Sequence, residues 1–148
     1  MKTFYNVGNT DYSLDVQLDI TPICDNGCPV SEVVVNNQVL YSSQCVSPIS
    51  LQCQVPLLQP FLVIISLKDK VYDADRETAL IVDRLKIDDY DLIPRFNHLV
   101  EYNNEKNIEV KSNYLGYNGS WCMNFGVPFY NWIHIAEHRG FLLYPTLD

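Results

Sequence analysis

Leu14-Asp15-Val16-Gln17-Leu18-Asp19-Ile20 decides the fold, because its apolar and polar residues alternate strictly. A period of two belongs to an extended strand that turns one face to a core and the other to water. Its aspartates and glutamine suit a half-exposed antiparallel strand and not one buried on both faces. Working outward, Thr21 to Pro29 holds two prolines and an Asn-Gly pair and reads as a loop. Ser31-Glu32-Val33-Val34-Val35 and Gln38-Val39-Leu40-Tyr41 flank Asn36-Asn37. That pattern predicts a hairpin, since asparagine tolerates the positive φ of a tight turn. Ser50 to Leu57 alternates again, and Pro56 puts the end of that strand at an edge or a bend. Phe61 to Leu67 is a continuous apolar run of strand length and belongs in a central position.

Further strands are expected over Ala79–Ile87, Tyr90–Ile93, His98–Tyr102, Ile108–Leu115, Trp121–Phe125 and Gly140–Tyr144. Phe129 to His138, framed by Pro128 and Gly140, is the one expected helix. Strands with turn signals at intervals of roughly 8–12 residues predict an all-β antiparallel sandwich or jelly roll with one short C-terminal helix. A chain of 148 residues fits a single domain spanning residues 1–148. No repeat or low-complexity linker divides it.

The composition narrows the partners. Hydrophobic residues make up 47% and charged residues 19%, a globular balance. The net charge of −8 argues against nucleic acid, whose phosphates need a basic face, and against an anionic membrane. The first residues, Met1 to Asn6, show no apolar signal core, and no apolar run reaches bilayer length. The five cysteines, Cys24, Cys28, Cys45, Cys53 and Cys122, are odd in number and fit reduced thiols in a cytoplasm. They read first as small buried hydrophobes. Cys24 and Cys28 could also close a tight disulfide or form half of a zinc site.

One position breaks the alternation. Residues 81, 83, 85 and 87 share a face, and Ile81, Leu85 and Ile87 make it the core face. Asp83 is therefore expected to point inward, where a carboxylate needs amides, an arginine (Arg76 or Arg84), a tyrosine or a cation. Calcium, the one candidate cofactor, takes several oxygens from flexible loops. Asp73 and Asp75 of the acidic segment 69–77 could join Asp83 in supplying them. The alternative is a solvated acidic loop with Asp83 capped by amides.

Two other features invite chemistry. His134-Ile135-Ala136-Glu137-His138 has the spacing of an inverted zincin, a zinc hydrolase that would bind metal through His134 and His138. A third ligand downstream is lacking, because the sole acid after His138 is Asp148. The aromatics between Trp121 and Phe141 read mainly as core, with Tyr117, Tyr130 and Trp132 kept as a surface for a ligand or partner.

Asp75-Arg76 and Val82-Asp83, with Lys68-Asp69 ahead of them, resemble the Asp-Arg, Val-Asp and Asn-Asp pairs of calcium-dependent xylan-binding carbohydrate modules, which are β-sandwiches. A likeness of wider extent runs from the first strand through the Val33–Leu40 hairpin and the Ile81–Asp88 centre. It ends in Leu115-Gly116-Tyr117-Asn118-Gly119-Ser120-Trp121, Phe125, Pro128-Phe129-Tyr130 and Trp132. This layout resembles small uncharacterised virion-associated proteins of marine tailed phages. The resemblance implies a non-enzymatic virion protein with a carbohydrate-module-like sandwich, in capsid decoration, neck, baseplate or fibre. It would be assembled in the host cytoplasm in repeated copies or as a homo-oligomer, with other virion proteins as partners. A calcium-dependent carbohydrate-binding module, with a glycan as ligand, is the alternative.

Overall fold

The computed structural model describes residues 13–126 together with Phe129, Trp132 and Ile133. The alternating segments become strands β1 (Ser13–Cys24), β2 (Val30–Val35), β3 (Gln38–Gln44), β4 (Ile49–Pro56), β5 (Phe61–Lys68) and β6 (Thr78–Ile87). They are followed by β7 (Tyr90–Asp91), a 3-10 turn (Asn97–Leu99), β8 (Glu101–Asn104), β9 (Tyr114–Leu115) and β10 (Gly119–Phe125).

Two five-stranded antiparallel sheets result. The first runs β4-β1-β6-β7, with β9 also pairing β6; the second runs β3-β2-β5-β10-β8. Only β2–β3 and β6–β7 are joined within one sheet; the other consecutive strands alternate between the sheets. The inner residues of both sheets form a single hydrophobic cluster. It includes Leu14, Val16, Leu18 and Ile20 of β1, Leu80, Val82, Leu85 and Ile87 of β6, Val63 and Ile65 of β5, and Trp121 and Met123 of β10. The architecture is therefore all-β and sandwich-like. Each of these side chains contributes roughly 1.5–3 kcal/mol by leaving water.

The hairpin forms as its asparagines require. Asn36 and Asn37 take φ of 50° and 63°, and Val35 pairs with Gln38. The predicted loop at Thr21 is instead strand, for β1 continues through Pro22 to Cys24 along β6. Its pairing with β4 stops at Ile20↔Ile49. Beyond that point, among the described residues, β1 has a neighbour on one side only, where a residue without an N–H is tolerated.

The expectation for Asp83 is overturned by a bulge. Ile20 pairs with Val82 and Asp19 with Arg84, so Asp83 is an inserted residue with no partner on β1. The insertion shifts the alternation by one. Val82 and Leu85 are both buried, while Asp83 and Arg84 are both exposed. The Asp83 carboxylate lies on the outer face and accepts the Thr21 hydroxyl.

Of the strand expected over 108–115, only Tyr114–Leu115 pairs. The expectation at 98–102 gives way to the 3-10 turn followed by β8. Phe129, Trp132 and Ile133 have helical backbone. The rest of the 129–138 helix and the 140–144 strand lie outside the described residues.

Candidate functional site

Where β5 leaves the second sheet, Asp69 takes a left-handed φ of 59° and turns the chain. Lys70 is thereby carried back over the end of the molecule. Its side chain is only 4% exposed. A buried ammonium needs a counter-charge and acceptors for its protons. Lys70 Nζ donates to Glu77 Oε1 and, over 2.6 Å, to the Gly116 carbonyl. Tyr114 Oη donates to Glu77 Oε2 at 2.8 Å, and the Thr78 amide to Oε1 at 3.0 Å. Burial works against the charged form of Glu77, yet the donors from Lys70 and Tyr114 outweigh it and hold the carboxyl below its ordinary range. Burial, and then the adjacent Glu77 carboxylate, push the Tyr114 phenol well up.

Asn118 ties the neighbouring loops together. Its Oδ1 accepts the Lys70 amide at 2.8 Å, and its Nδ2 donates to the Lys70 carbonyl at 2.9 Å and to Glu105 Oε1 at 3.0 Å. The side-chain amide thus imitates a short piece of strand. The Asn118 amide donates to Tyr72 Oη at 3.0 Å. Donors from Tyr72 and then Asn118 hold the Glu105 carboxyl below its usual range. Gly119 takes a positive φ of 156°, and a Cβ there would lie 2.2 Å from the Asn103 carbonyl oxygen, so backbone conformation and close approach both require glycine.

This framework presents Tyr72 and Tyr117, whose ring centroids are 6.4 Å apart. Lys106 Nζ lies 4.3 Å and Lys70 Nζ 5.2 Å from the centre of the Tyr72 ring. Beneath them Tyr102 Oη donates to the Tyr117 carbonyl and accepts the Tyr117 amide at 3.0 Å. Burial pushes the Tyr102 phenol up to about 12. The arrangement is a rigid, hydrogen-bonded loop end with two tyrosine rings and a carboxylate at its surface.

The residues singled out from sequence separate in space. Asp73 Oδ1 accepts the amides of Asp75 and Arg76 at 2.9 and 3.1 Å, and its Oδ2 faces Arg76 Nη2 at 3.4 Å. It caps its own exposed turn. Asp83 belongs to the bulge on β6. Among the described residues no three His, Cys, Asp or Glu side chains are placed to hold one metal ion. Asp73, Asp75 and Asp83 are therefore not gathered into a site. Cys24 and Cys28 are joined as a disulfide, which replaces both the zinc half-site and the reduced, core-filling role expected of them. Cys45, Cys53 and Cys122 are free, and only Cys45 is fully buried.

Tyr117 is half-buried in the loop end. Trp132 packs edge-on to Phe125 at 4.8 Å and stacks on Phe129 at 6.0 Å, so most of its ring serves the core and not an outer surface. Tyr130, His134 and His138 lie outside the described residues. Sequence reasoning missed Lys70, Tyr72, Glu105 and Tyr114, whose partners come from loops far apart in the chain. Among the described residues no helix is long and apolar enough to cross a membrane. No protein-family model, curated protein or solved structure matches the chain.

Proposed function

We propose that this chain is a non-enzymatic structural or accessory component of a bacteriophage virion, a jelly-roll sandwich with a short C-terminal helix that acts through protein–protein contacts. The observation that carries this reading is an apolar row on the outer face of the second sheet, running over four of its strands and ending at Glu101 of β8. Val39 of β3 pairs with Val34 of β2, Val34 with Ile64 of β5, and Ile64 with Cys122 of β10. Leu62 of β5 lies exposed beside them. An outer sheet face left to water is normally polar, and an apolar one marks a contact surface. The corresponding face of the first sheet is polar, with Asp15, Asp19, Arg84 and Lys86 on neighbouring strands.

The loop end supports the same reading. Its ammonium, carboxylates and hydroxyls are engaged with one another, as befits a framework that holds a shape. The wide resemblance of the Leu115–Trp132 segment to phage virion-associated proteins supplies the setting: decoration, neck, baseplate or fibre, in repeated copies. Mass spectrometry of gradient-purified particles of the encoding phage tests it. The chain should be found at a fixed copy number per particle and should be lost from particles when Ile64 is changed to Lys. Intact particles without the chain would eliminate the proposal.

A further inference from the structure

From Val33 through Leu67 the sequence contains no Asp, Glu, Lys, Arg or His, although the chain has 18 acidic and 10 basic residues. This neutral stretch builds β3 and β4. They are the outer strands of the second and first sheets, and they succeed one another in the chain, so one flank of the molecule carries no charge from either strand. Among the described residues β3 pairs only with β2 and β4 only with β1, leaving each with an open hydrogen-bonding edge. The seam between the sheets is also incompletely closed there. Leu40, Tyr41, Ile49, Leu51 and Cys53 pack against the core but stay half-buried, and Val39 and Val46 are 57% and 66% exposed.

Soluble proteins protect strand edges with charges, prolines or bulges. β3 has a bulge, since Val33↔Tyr41 is followed by Val34↔Val39 and Leu40 is skipped. β4 has none: its register with β1 is unbroken from Ile49 to Pro56. We infer that β4 pairs antiparallel with the β4 of a second copy of this chain, joining two first sheets into one continuous sheet. The inference deepens the proposed virion role, because it names the partner that repeated copies would use.

Three arguments select a second copy and fix its register. A partner drawn by charge would be attracted to the rest of this chain of net −8, and not to an edge strand without charge. Two copies of such a chain repel least where the facing strand is itself uncharged, and the nearest acids, Asp15 and Asp19 of β1, stand one strand further in and accept from Gln54 and Ser50 of β4. Ile49-Ser50-Leu51-Gln52-Cys53-Gln54-Val55 also has the same apolar–polar pattern in both directions. Centring the two-fold axis on Gln52 sets Ile49 opposite Val55, Ser50 opposite Gln54 and Leu51 opposite Cys53. Pro56, which has no N–H to give, stays outside the ladder. Gln52 then meets its own counterpart, and an amide that both donates and accepts is complementary to itself.

Sedimentation equilibrium of the full-length chain tests this. The expected mass is twice 17.1 kDa. Raising the salt should strengthen the association, because the paired strands contribute no ion pair while the two like-charged bodies are screened. Gln52→Glu, on the exposed face of β4, places two carboxylates face to face at the axis. It should weaken association on the order of tenfold or more, with unchanged thermal unfolding of the monomer. Asn124→Asp adds the same charge on the outer face of the second sheet and should leave the association intact. A chain that remains monomeric to high concentration at every salt level overturns the inference. So does a dimer insensitive to Gln52→Glu, or one broken by Asn124→Asp. A dimer in solution from a chain missing from particles would refute the virion role alone; a monomer found in particles would refute the β4 pairing alone.

Discussion

Replacing Glu77 by Gln interrogates the loop end most directly. The change keeps the shape of the side chain but removes the negative charge facing Lys70. Removing one member of a fully buried ion pair costs roughly 3–5 kcal/mol, because the other charge is stranded. Exposed pairs contribute only about 0–1 kcal/mol. Here Lys70 is 4% exposed and Glu77 38%, so water screens one partner and not the other. The Gly116 carbonyl still accepts from Lys70 after the change. The expected loss lies between the two limits, at about 2 kcal/mol. For a chain of this length that lowers the melting temperature by about 4–8 °C. Urea unfolding at pH 7, followed by tryptophan fluorescence, measures it.

The pH dependence has a defined sign. Glu77 titrates below its ordinary value in the folded protein, so its contribution is complete above the unfolded value of 4.5 and is lost as pH falls through the folded one. The gap between wild type and Glu77→Gln should therefore close in acid. Pairing Glu77→Gln with Lys70→Met should give a coupling of about 1 kcal/mol or more. A single-variant loss under about 0.5 kcal/mol, or strict additivity of the two changes, would refute the stranded-charge reasoning.

Asp83→Ala, at an exposed bulge, should change stability by no more than about 0.5 kcal/mol; a loss of several kcal/mol on thermal unfolding would restore an inward carboxylate. Millimolar calcium should leave the melting temperature of wild type and of Asp83→Ala equally unmoved. Trp121 is fully buried and its indole donates to the Ser112 carbonyl at 2.8 Å, so Trp121→Ala should cost roughly 3–5 kcal/mol by chemical denaturation. Among the described residues, ultraviolet titration should find Tyr102 ionising only near pH 12 and Tyr114 later still, and Tyr102→Phe should remove the step near 12 while leaving that of Tyr114. A step near pH 12 that persists in the variant would count against the assignment.

The strands were largely legible because alternation is a local property. Leu14 to Ile20 declares its two faces within seven residues, and Asn36-Asn37 declares its turn. Asp83 misled the reading, because a bulge depends on how β6 meets β1 and leaves no mark in the sequence of β6. The inward acid and the sandwich-like architecture are thus separable: the second stands without the first. Pro22 misled in the same way, since its tolerance depends on where β4 stops. The loop-end cluster was illegible for a related reason. Lys70, Glu77, Glu105, Tyr114 and Asn118 meet only once two connections have been folded over the same end, and nothing in the spacing of the five announces it.

The strand order also bears on how the chain reaches its native state. β1 comes first among the described strands, yet it occupies the interior of its sheet between β4 and β6. Its full ladder must wait until Thr78–Ile87 has left the ribosome. Long-range pairings of this kind close large loops before any contact rewards them, which places such topologies among the slower two-state folders, on the millisecond-to-second scale. During that wait the uncharged Val33–Leu67 segment is available to other nascent chains. Transiently exposed apolar strands of this kind are where aggregation of slow-folding β chains begins.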